Sequence, residues 1–224
     1  MNFLSHYYFE RYAANAEQVL GGLLPDLLKN IDKGYGFHLH KYADKLGTSP
    51  TAAAITEGWN RHVAVDKIFH NCDFFYKHTH ALRKDLETVV ADLPIRPTFL
   101  AHISLELLLD HKLIVHNMLS VARLYEHLNH VNRNALSNYL KNFETIDLEG
   151  FYYFYDRFLE SKYIFEYAKL EKVSYALFNI CKRIWSFEPS EAHYAALTAR
   201  LQAYQQEKLT DYFDVFNYIN QQLD

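Results

Sequence analysis

The chain has 224 residues, half of them hydrophobic, which is enough for one sizeable core. Its formal net charge of −4 at neutral pH gives no electrostatic basis for nucleic-acid binding. No stretch approaches the about 18 uninterrupted apolar residues of a membrane span, and the N-terminus lacks the pattern of a secretory signal. Two cysteines are too few for a disulfide framework, so we predict a cytoplasmic protein without a membrane span.

Low glycine and proline content favours long helices, and helical periodicity begins early in the chain. The first clear helical pattern covers residues 14–29. Gly21, Gly22 and Pro25 interrupt it, which predicts a bend or a close helix contact there. Residues 31–49 are polar and aperiodic, and we predict a loop.

Further helices are predicted along the rest of the chain. Pro50 opens a helix to about residue 71, a second covers 73–90, and Thr98 is the predicted cap of a third that ends at 115. The remaining predicted helices cover residues 117–129, 132–143, 148–168, 170–185 and 190–222, the last capped by Ser190. Because no linker divides the chain, we predict an all-α, single-domain helical bundle over 1–224, with the motifs of the site in 1–115 and an aromatic helical half in 116–224.

His62, Asp66 and His70 follow one another at intervals of four residues. On an α-helix this spacing places an imidazole, a carboxylate and an imidazole in one column on the same face. Burial of such a column is costly unless something binds it, and a divalent metal ion is the usual ligand.

A second column lies in the helix after Pro97, where His102, Glu106 and Asp110 also step by four and His111 follows. Asp110 and His111 point about 100° apart, so they can reach one ion from adjacent directions. The surrounding run is strongly apolar. An ionised aspartate there requires a cation or a network of hydrogen bonds.

The alternative to a metal site is ordinary core hydrogen bonding, since thirteen histidines produce some spacings by chance. The aromatic stretch at 151–167 is most simply a core seam, although its phenol groups can also line a ligand cleft. Three other histidine pairs are interpreted as non-metal positions, the last of them on a surface face: His38 with His40, His78 with His80, and His127 with His130.

Four short motifs occur in order within residues 1–115. They are MNFLSH at 1–6, GGLLPDLLKN at 21–30, GWNRHVAVDKIFH at 58–70 and LELLLDHKL at 105–113. Their order and spacing resemble those of the acyl carrier protein phosphodiesterases, bacterial proteins distantly akin to the HD-domain metal phosphohydrolases. The resemblance implies an HD-phosphohydrolase-like bundle that releases 4'-phosphopantetheine from holo-acyl carrier protein, in the cytoplasm, within fatty acid biosynthesis.

The resemblance also implies the roles of individual residues. The predicted metal ligands are Asp26, His62, Asp66, Asp110 and His111. The chemistry of this chain's own residues adds His6 and His70 as candidates for protonating the leaving alkoxide, and Arg61 or Lys67, beside the column, for holding a phosphate. The implied metal is Mn²⁺ or Mg²⁺, with Mn²⁺ first, while mixed His and Asp ligands also suit Fe²⁺ or Zn²⁺.

The chain departs from the family pattern at three places. His70 and Glu106 stand where the family has Asp, and Val63 with Ala64 replaces a basic pair that follows the first histidine. Two alternatives therefore stay open: a non-enzymatic helical binding protein that has kept the family fold, and a phosphohydrolase acting on a different small phosphoester.

Overall fold

The computed structural model describes residues 1–47 and 49–223; Thr48, in the predicted loop, and Asp224 lie outside the described residues. Over the described ranges the chain forms eleven α-helices and two 3-10 helices, with no strand. The prediction of an all-α fold is confirmed. The HD-phosphohydrolase-like arrangement stays a prediction.

The helices follow the chain with short connections. The α-helices are α1 (Phe3–Glu10), α2 (Ala16–Ile31), α3 (Pro50–His70), α4 (Asp73–Glu87), α5 (Pro97–Val115), α6 (Val121–His130), α7 (Arg133–Leu140), α8 (Leu148–Ser161), α9 (Leu170–Lys182), α10 (Glu191–Glu207) and α11 (Asp214–Leu223). The 3-10 helices cover Leu39–Tyr42, inside the predicted loop, and Tyr163–Ala168.

Helix starts agree with the sequence in some places and differ in others. Ser190 caps α10 as predicted, because its side chain accepts the backbone N–H of His193 in a capping box. The predicted cap at Thr98 is wrong, since α5 already begins at Pro97 after Arg96, which makes no side-chain cap hydrogen bond. Proline suits this first position because it has no N–H to satisfy.

Two predicted helices are interrupted. The helix over 148–168 ends at Ser161 because Lys162 adopts a left-handed backbone conformation with φ of 46°. The helix over 190–222 divides into α10 and α11. In the intervening turn, Asp211 accepts a hydrogen bond of 2.5 Å from the Lys77 ammonium group and lies 3.1 Å from His78 Nε2. These tertiary contacts stabilise the turn between the two helices.

The described chain forms two compact units. The N-terminal unit comprises Asn2–Asp66 and Leu119–Tyr163; the C-terminal unit comprises Met1, Lys67–Met118 and Ile164–Asp224. Helix α3 supplies residues to both. That residues 1–224 form a single domain stays a prediction.

Helix α2 is central to the N-terminal unit, where it packs against α1, α6 and α8. Leucine and valine side chains cover its buried faces, so α2 is anchored on several sides by apolar burial. In the C-terminal unit, α5 packs against α4, α9 and α10. Helix α5 buries residues around most of its circumference, which explains its nearly continuous leucine run.

None of the described helices combines the length and the apolar character that crossing a membrane requires.

Candidate metal centre

Close contact between α2 and α3 builds the candidate centre in the N-terminal unit. A Cβ atom placed on Gly58 would lie 2.0 Å from the Gln18 carbonyl oxygen, and one on Gly21 would lie 2.2 Å from the Ile55 carbonyl oxygen. Only glycine allows two helix backbones to approach this closely. The predicted contact at the glycine pair is therefore present, and it brings Asp26 on α2 towards His62 on α3.

Four side chains meet beside this contact, all within the N-terminal unit: His6, Asp26, His62 and Asp66. The Nε2 atom of His6 lies 3.3 Å from Asp66 Oδ1 and 4.0 Å from Asp26 Oδ2. The Nε2 atom of His62 lies 3.8 Å from an oxygen of each aspartate. The two imidazole rings stack at 3.7 Å between centroids. We call these four residues the His–Asp cluster.

The histidine nitrogens that face the carboxylates are buried without hydrogen bonds. His6 and His62 are 2% and 3% exposed, and neither Nε2 atom has a hydrogen-bond partner among the described residues. The Nδ1–H of His62 donates to the Gly22 carbonyl at 2.9 Å. That hydrogen bond fixes the tautomer, so Nε2 of His62 presents its lone pair to the carboxylates.

The electrostatic environment of the cluster favours binding of a cation. Burial, together with the neighbouring His6, holds the pKa of His62 well below its usual value, so its imidazole is neutral near pH 7. Burial opposes ionisation of Asp66, but the interaction with His6 outweighs it and keeps the pKa of that carboxyl well below its ordinary range. Burial raises the pKa of Asp26 and Asp66 adds to this, while His6 counteracts it. A divalent ion would offset the charge of two carboxylates that otherwise repel each other.

The spacing of the ligand atoms fits one bound ion. Ligand atoms about 2.1 Å from a shared ion lie between about 3.0 and about 4.2 Å apart, depending on the angle between them. The four nitrogen-to-oxygen distances of 3.3 to 4.0 Å fall within this interval. One donor atom each from His6, His62 and Asp66 lies within 4.8 Å of the others. The two oxygens of Asp26 approach one histidine each, Oδ2 towards His6 and Oδ1 towards His62. Two imidazoles with two carboxylates suit Mn²⁺, Fe²⁺ or Zn²⁺.

The remaining predicted ligands belong to the C-terminal unit. Asp110 and His111 lie on α5 and are buried. The Nδ1–H of His111 donates to the Tyr167 carbonyl at 2.7 Å, which orients its ring. Neither residue belongs to the two groups of metal-ligand spacing found among the described residues. Their role as ligands stays a prediction.

The predicted column on α3 divides between two groups of residues. His62 and Asp66 join the His–Asp cluster, whereas His70 lies beside His102 and Glu106. His6, predicted as a candidate proton donor, faces the carboxylates with an unsatisfied nitrogen. This geometry favours a ligand role for His6.

The predicted phosphate-binding residues have different surroundings. Lys67 is exposed. The Nε atom of Arg61 lies 3.4 Å from a carboxylate oxygen of Glu10, which is buried and also accepts the Gln18 amide at 2.9 Å. Sequence reasoning missed Glu10. Its position four residues after His6, in an aromatic run, was the available signal for a residue on the same helix face.

The pH dependence of the unfolding free energy tests the buried position of Glu10. Burial raises the pKa of Glu10 from 4.5 to about 7, with Arg61 opposing the shift. The folded state therefore holds this proton across a pH interval in which the unfolded state has lost it, so stability falls as pH rises from 4.5 to about 7. The loss is at most about 3 kcal/mol. We expect Glu10→Gln to remove this fall, measured as the difference in unfolding free energy between pH 5 and pH 8.

Glu160→Gln is the matched control for that experiment, because Glu160 is exposed in the same unit and is not one of the neighbours that shift the pKa of Glu10. We expect this control to keep the wild-type pH dependence. An unaltered difference between pH 5 and pH 8 in Glu10→Gln would show that Glu10 does not titrate as its burial implies.

Two of the other histidine pairs are also clarified. His78 is buried, with Nδ1 2.7 Å from the Tyr204 hydroxyl and Nε2 3.1 Å from Asp211, so polar protein groups surround it. His130 is exposed as predicted, but His127 is only partly exposed and its Nε2 atom is buried. The predicted surface face therefore holds for His130 alone.

The chain was compared with protein-family models, with curated proteins and with solved structures, and none of the three comparisons finds a match.

Proposed function

We propose that this protein is a metal-dependent phosphodiesterase that releases 4'-phosphopantetheine from holo-acyl carrier protein. One observation carries the proposal: His6 and His62 are buried with unsatisfied Nε2 atoms that face the carboxylates of Asp26 and Asp66. Buried polar atoms without partners are costly, and they persist where a ligand satisfies them. The resemblance of the four motifs supports the reaction class and the substrate.

His6, Asp26, His62 and Asp66 would hold the ion, for which Mn²⁺ is the first candidate. The ion would supply Lewis-acid chemistry, lowering the pKa of a bound water and offsetting charge on the phosphoryl oxygens. The chain's own contribution is orientation. The Gly22 carbonyl holds the ring of His62, and the stacked ring of His6 limits its rotation.

The substrate part of the proposal rests on the resemblance and on local charge. Acyl carrier protein is acidic and the chain carries −4, so the two proteins approach each other only at a local basic surface. Arg61 precedes His62 of the cluster directly and Lys67 follows Asp66 directly. The side chain of Arg61 is partly exposed beside buried Glu10. The proposal also includes Lys67 as a phosphate-binding residue, Asp110 and His111 as metal ligands, and His70 as a proton donor. It places the protein in the cytoplasm.

The direct test is turnover of holo-acyl carrier protein by chelator-treated protein reloaded with Mn²⁺. Mass spectrometry would follow loss of the phosphopantetheine arm, with one generic phosphodiester and one phosphomonoester assayed in parallel. We expect Asp26→Asn to lower turnover by more than about 100-fold, beyond the cost of removing a group that merely orients a ligand. The matched control is Asp44→Asn, an exposed aspartate in the same unit, which should keep full activity.

The substrate panel separates the alternatives. Cleavage of the phosphomonoester alone would replace the proposal with a phosphohydrolase of small phosphoesters. Mn²⁺ binding without turnover of any phosphoester would favour a helical binding protein that retains the metal. Full activity of Asp26→Asn on the carrier protein would remove the His–Asp cluster from the reaction.

A further inference from the structure

A second group of potential metal ligands lies in the C-terminal unit. His70 at the end of α3 and His102 with Glu106 on α5 bring one atom each to a common point. The two Nε2 atoms are 3.1 Å apart, and they lie 3.3 Å and 3.1 Å from Glu106 Oε1, respectively. We call these three residues the His–His–Glu triad.

The geometry of the triad differs from that of an ordinary hydrogen-bonded cluster. Only one proton can lie between the Nε2 atoms of His70 and His102, and Glu106 Oε1 lies within 3.3 Å of both nitrogens. Two ligand atoms at right angles and about 2.1 Å from one ion lie about 3.0 Å apart. The three observed distances of 3.1 to 3.3 Å approach this value, as one triangular face of an octahedral site requires.

The surroundings hold the triad in place. Phe75 packs edge-on against both imidazole rings, with centroid distances of 5.0 Å to each. Glu106 is mostly buried, and burial opposes its ionisation, but the neighbouring amine and imidazoles keep the pKa of this carboxyl well below its usual value. The amino group of Met1 lies 3.0 Å from the same carboxylate oxygen, so Glu106 is a charged acceptor for cationic groups.

An open cleft of about 900 Å³ adjoins the triad, and His102 lines it together with Phe75. Lys77, His80 and Arg83 line the same cleft, and Lys77 is ion-paired with Asp211 at 2.5 Å. No acidic side chain is among the lining residues in the described part of the chain. The cleft therefore combines an imidazole of the triad with the guanidinium group of Arg83, which suits an oxyanion.

We propose that His70, His102 and Glu106 bind a divalent transition-metal ion, and that this ion takes an oxyanion such as phosphate from the adjoining basic cleft. Two histidines and one carboxylate leave further coordination positions open, which is typical of sites that bind an exchangeable ligand. The ion would contact both imidazole nitrogens and the carboxylate oxygen, which the Met1 amino group also contacts at 3.0 Å. The site shares no residue with the His–Asp cluster and does not depend on the proposed function.

Calorimetric titration with Mn²⁺ and with Zn²⁺ tests this site in a His62→Ala background, where the His–Asp cluster is disabled. The full chain is used, because the amino group of Met1 contacts Glu106. We expect one equivalent of metal to bind in this background, and adding Glu106→Gln or His102→Ala to weaken that binding by more than about 100-fold. Glu87→Gln and His116→Ala, both exposed in the same unit, are the matched controls and should leave it unchanged.

No metal binding in the His62→Ala background would overturn the second site while leaving the proposed function intact. Unchanged affinity in Glu106→Gln would also overturn it, because the ion would then sit elsewhere. The oxyanion is tested with inorganic phosphate, which should tighten Mn²⁺ binding by at least about fivefold, as expected for energetic coupling of bound ligands. Arg83→Ala should abolish that gain; equal Mn²⁺ affinity with and without phosphate would contradict the oxyanion part.

Discussion

His62→Ala is expected to remove one equivalent of bound Mn²⁺ and to abolish the proposed phosphodiesterase activity. His62 supplies a buried, neutral imidazole whose tautomer is fixed by the Gly22 carbonyl. Without it the two carboxylates of the His–Asp cluster lose their most rigidly oriented partner. We expect affinity at this site to fall by more than about 100-fold, a larger loss than removal of an orienting group causes.

Calorimetry and thermal unfolding both measure this effect. Metal at about 1,000 times its dissociation constant stabilises a folded protein by about 4 kcal/mol. For a chain of this length that raises Tm by roughly 8–16 °C, since each kcal/mol shifts Tm by about 2–4 °C. We expect Mn²⁺ to raise the Tm of His62→Ala less than that of the wild type, because the stabilisation from metal bound at the His–Asp cluster is lost.

His130→Ala is the control, because His130 is exposed in the same unit and bonds only the Glu126 carbonyl among the described contacts of its ring. It should bind Mn²⁺ like the wild type. His62→Gln, which retains an amide able to reach Gly22, separates loss of the ligand from loss of the packing. Wild-type affinity and stoichiometry in both His62 variants would contradict the site.

Gly58→Ala is expected to destabilise the protein and to weaken metal binding together. The added methyl group would lie 2.0 Å from the Gln18 carbonyl oxygen and 2.7 Å from the Gly22 backbone nitrogen, so α2 and α3 must move apart. Overpacking costs about 1–3 kcal/mol and rises when rigid backbone must shift, while alanine regains about 1 kcal/mol of helix propensity. We expect a net loss of at least about 2 kcal/mol, or a fall in Tm of roughly 4–8 °C.

Metal affinity should fall in the same variant, because separation of the helices stretches the hydrogen bond from His62 to Gly22. Gly36→Ala is the control, since nothing lies within 4 Å of a Cβ atom at that position. Its stability should change by less than about 1 kcal/mol. A Gly58→Ala protein as stable as the wild type would show that the two backbones are not in close contact.

The sequence predicted those parts of the site that depend on local spacing. The interval between His62 and Asp66 places both on one face of α3, and the structure brings their polar atoms together. The interruption at Gly21, Gly22 and Pro25 predicted a bend or a close helix contact, and the close contact is present at Gly21. The resemblance assigned His6 and Asp26 to the same site as His62, since nothing in their own spacing connects them to α3.

The features that the sequence did not predict depend on contacts between residues that are distant along the chain. His70 continues the column of His62 and Asp66, yet its ring lies beside His102 and Glu106, which come more than thirty residues later. Helix α1 was not predicted because its short aromatic run has little helical periodicity, and its burial against α2 supplies the missing stability. The break before α11 was missed because the contacts of Asp211 with Lys77 and His78 are non-local.

Anomalous diffraction at the manganese absorption edge, from crystals grown with Mn²⁺, tests the central claim most directly. We expect a peak between α1, α2 and α3 within about 2.0–2.4 Å of His6 Nε2, His62 Nε2 and a carboxylate oxygen of Asp26 or Asp66. A map of fully occupied, Mn²⁺-soaked protein with no anomalous peak among these four side chains would contradict the metal centre, and the phosphodiesterase proposal with it.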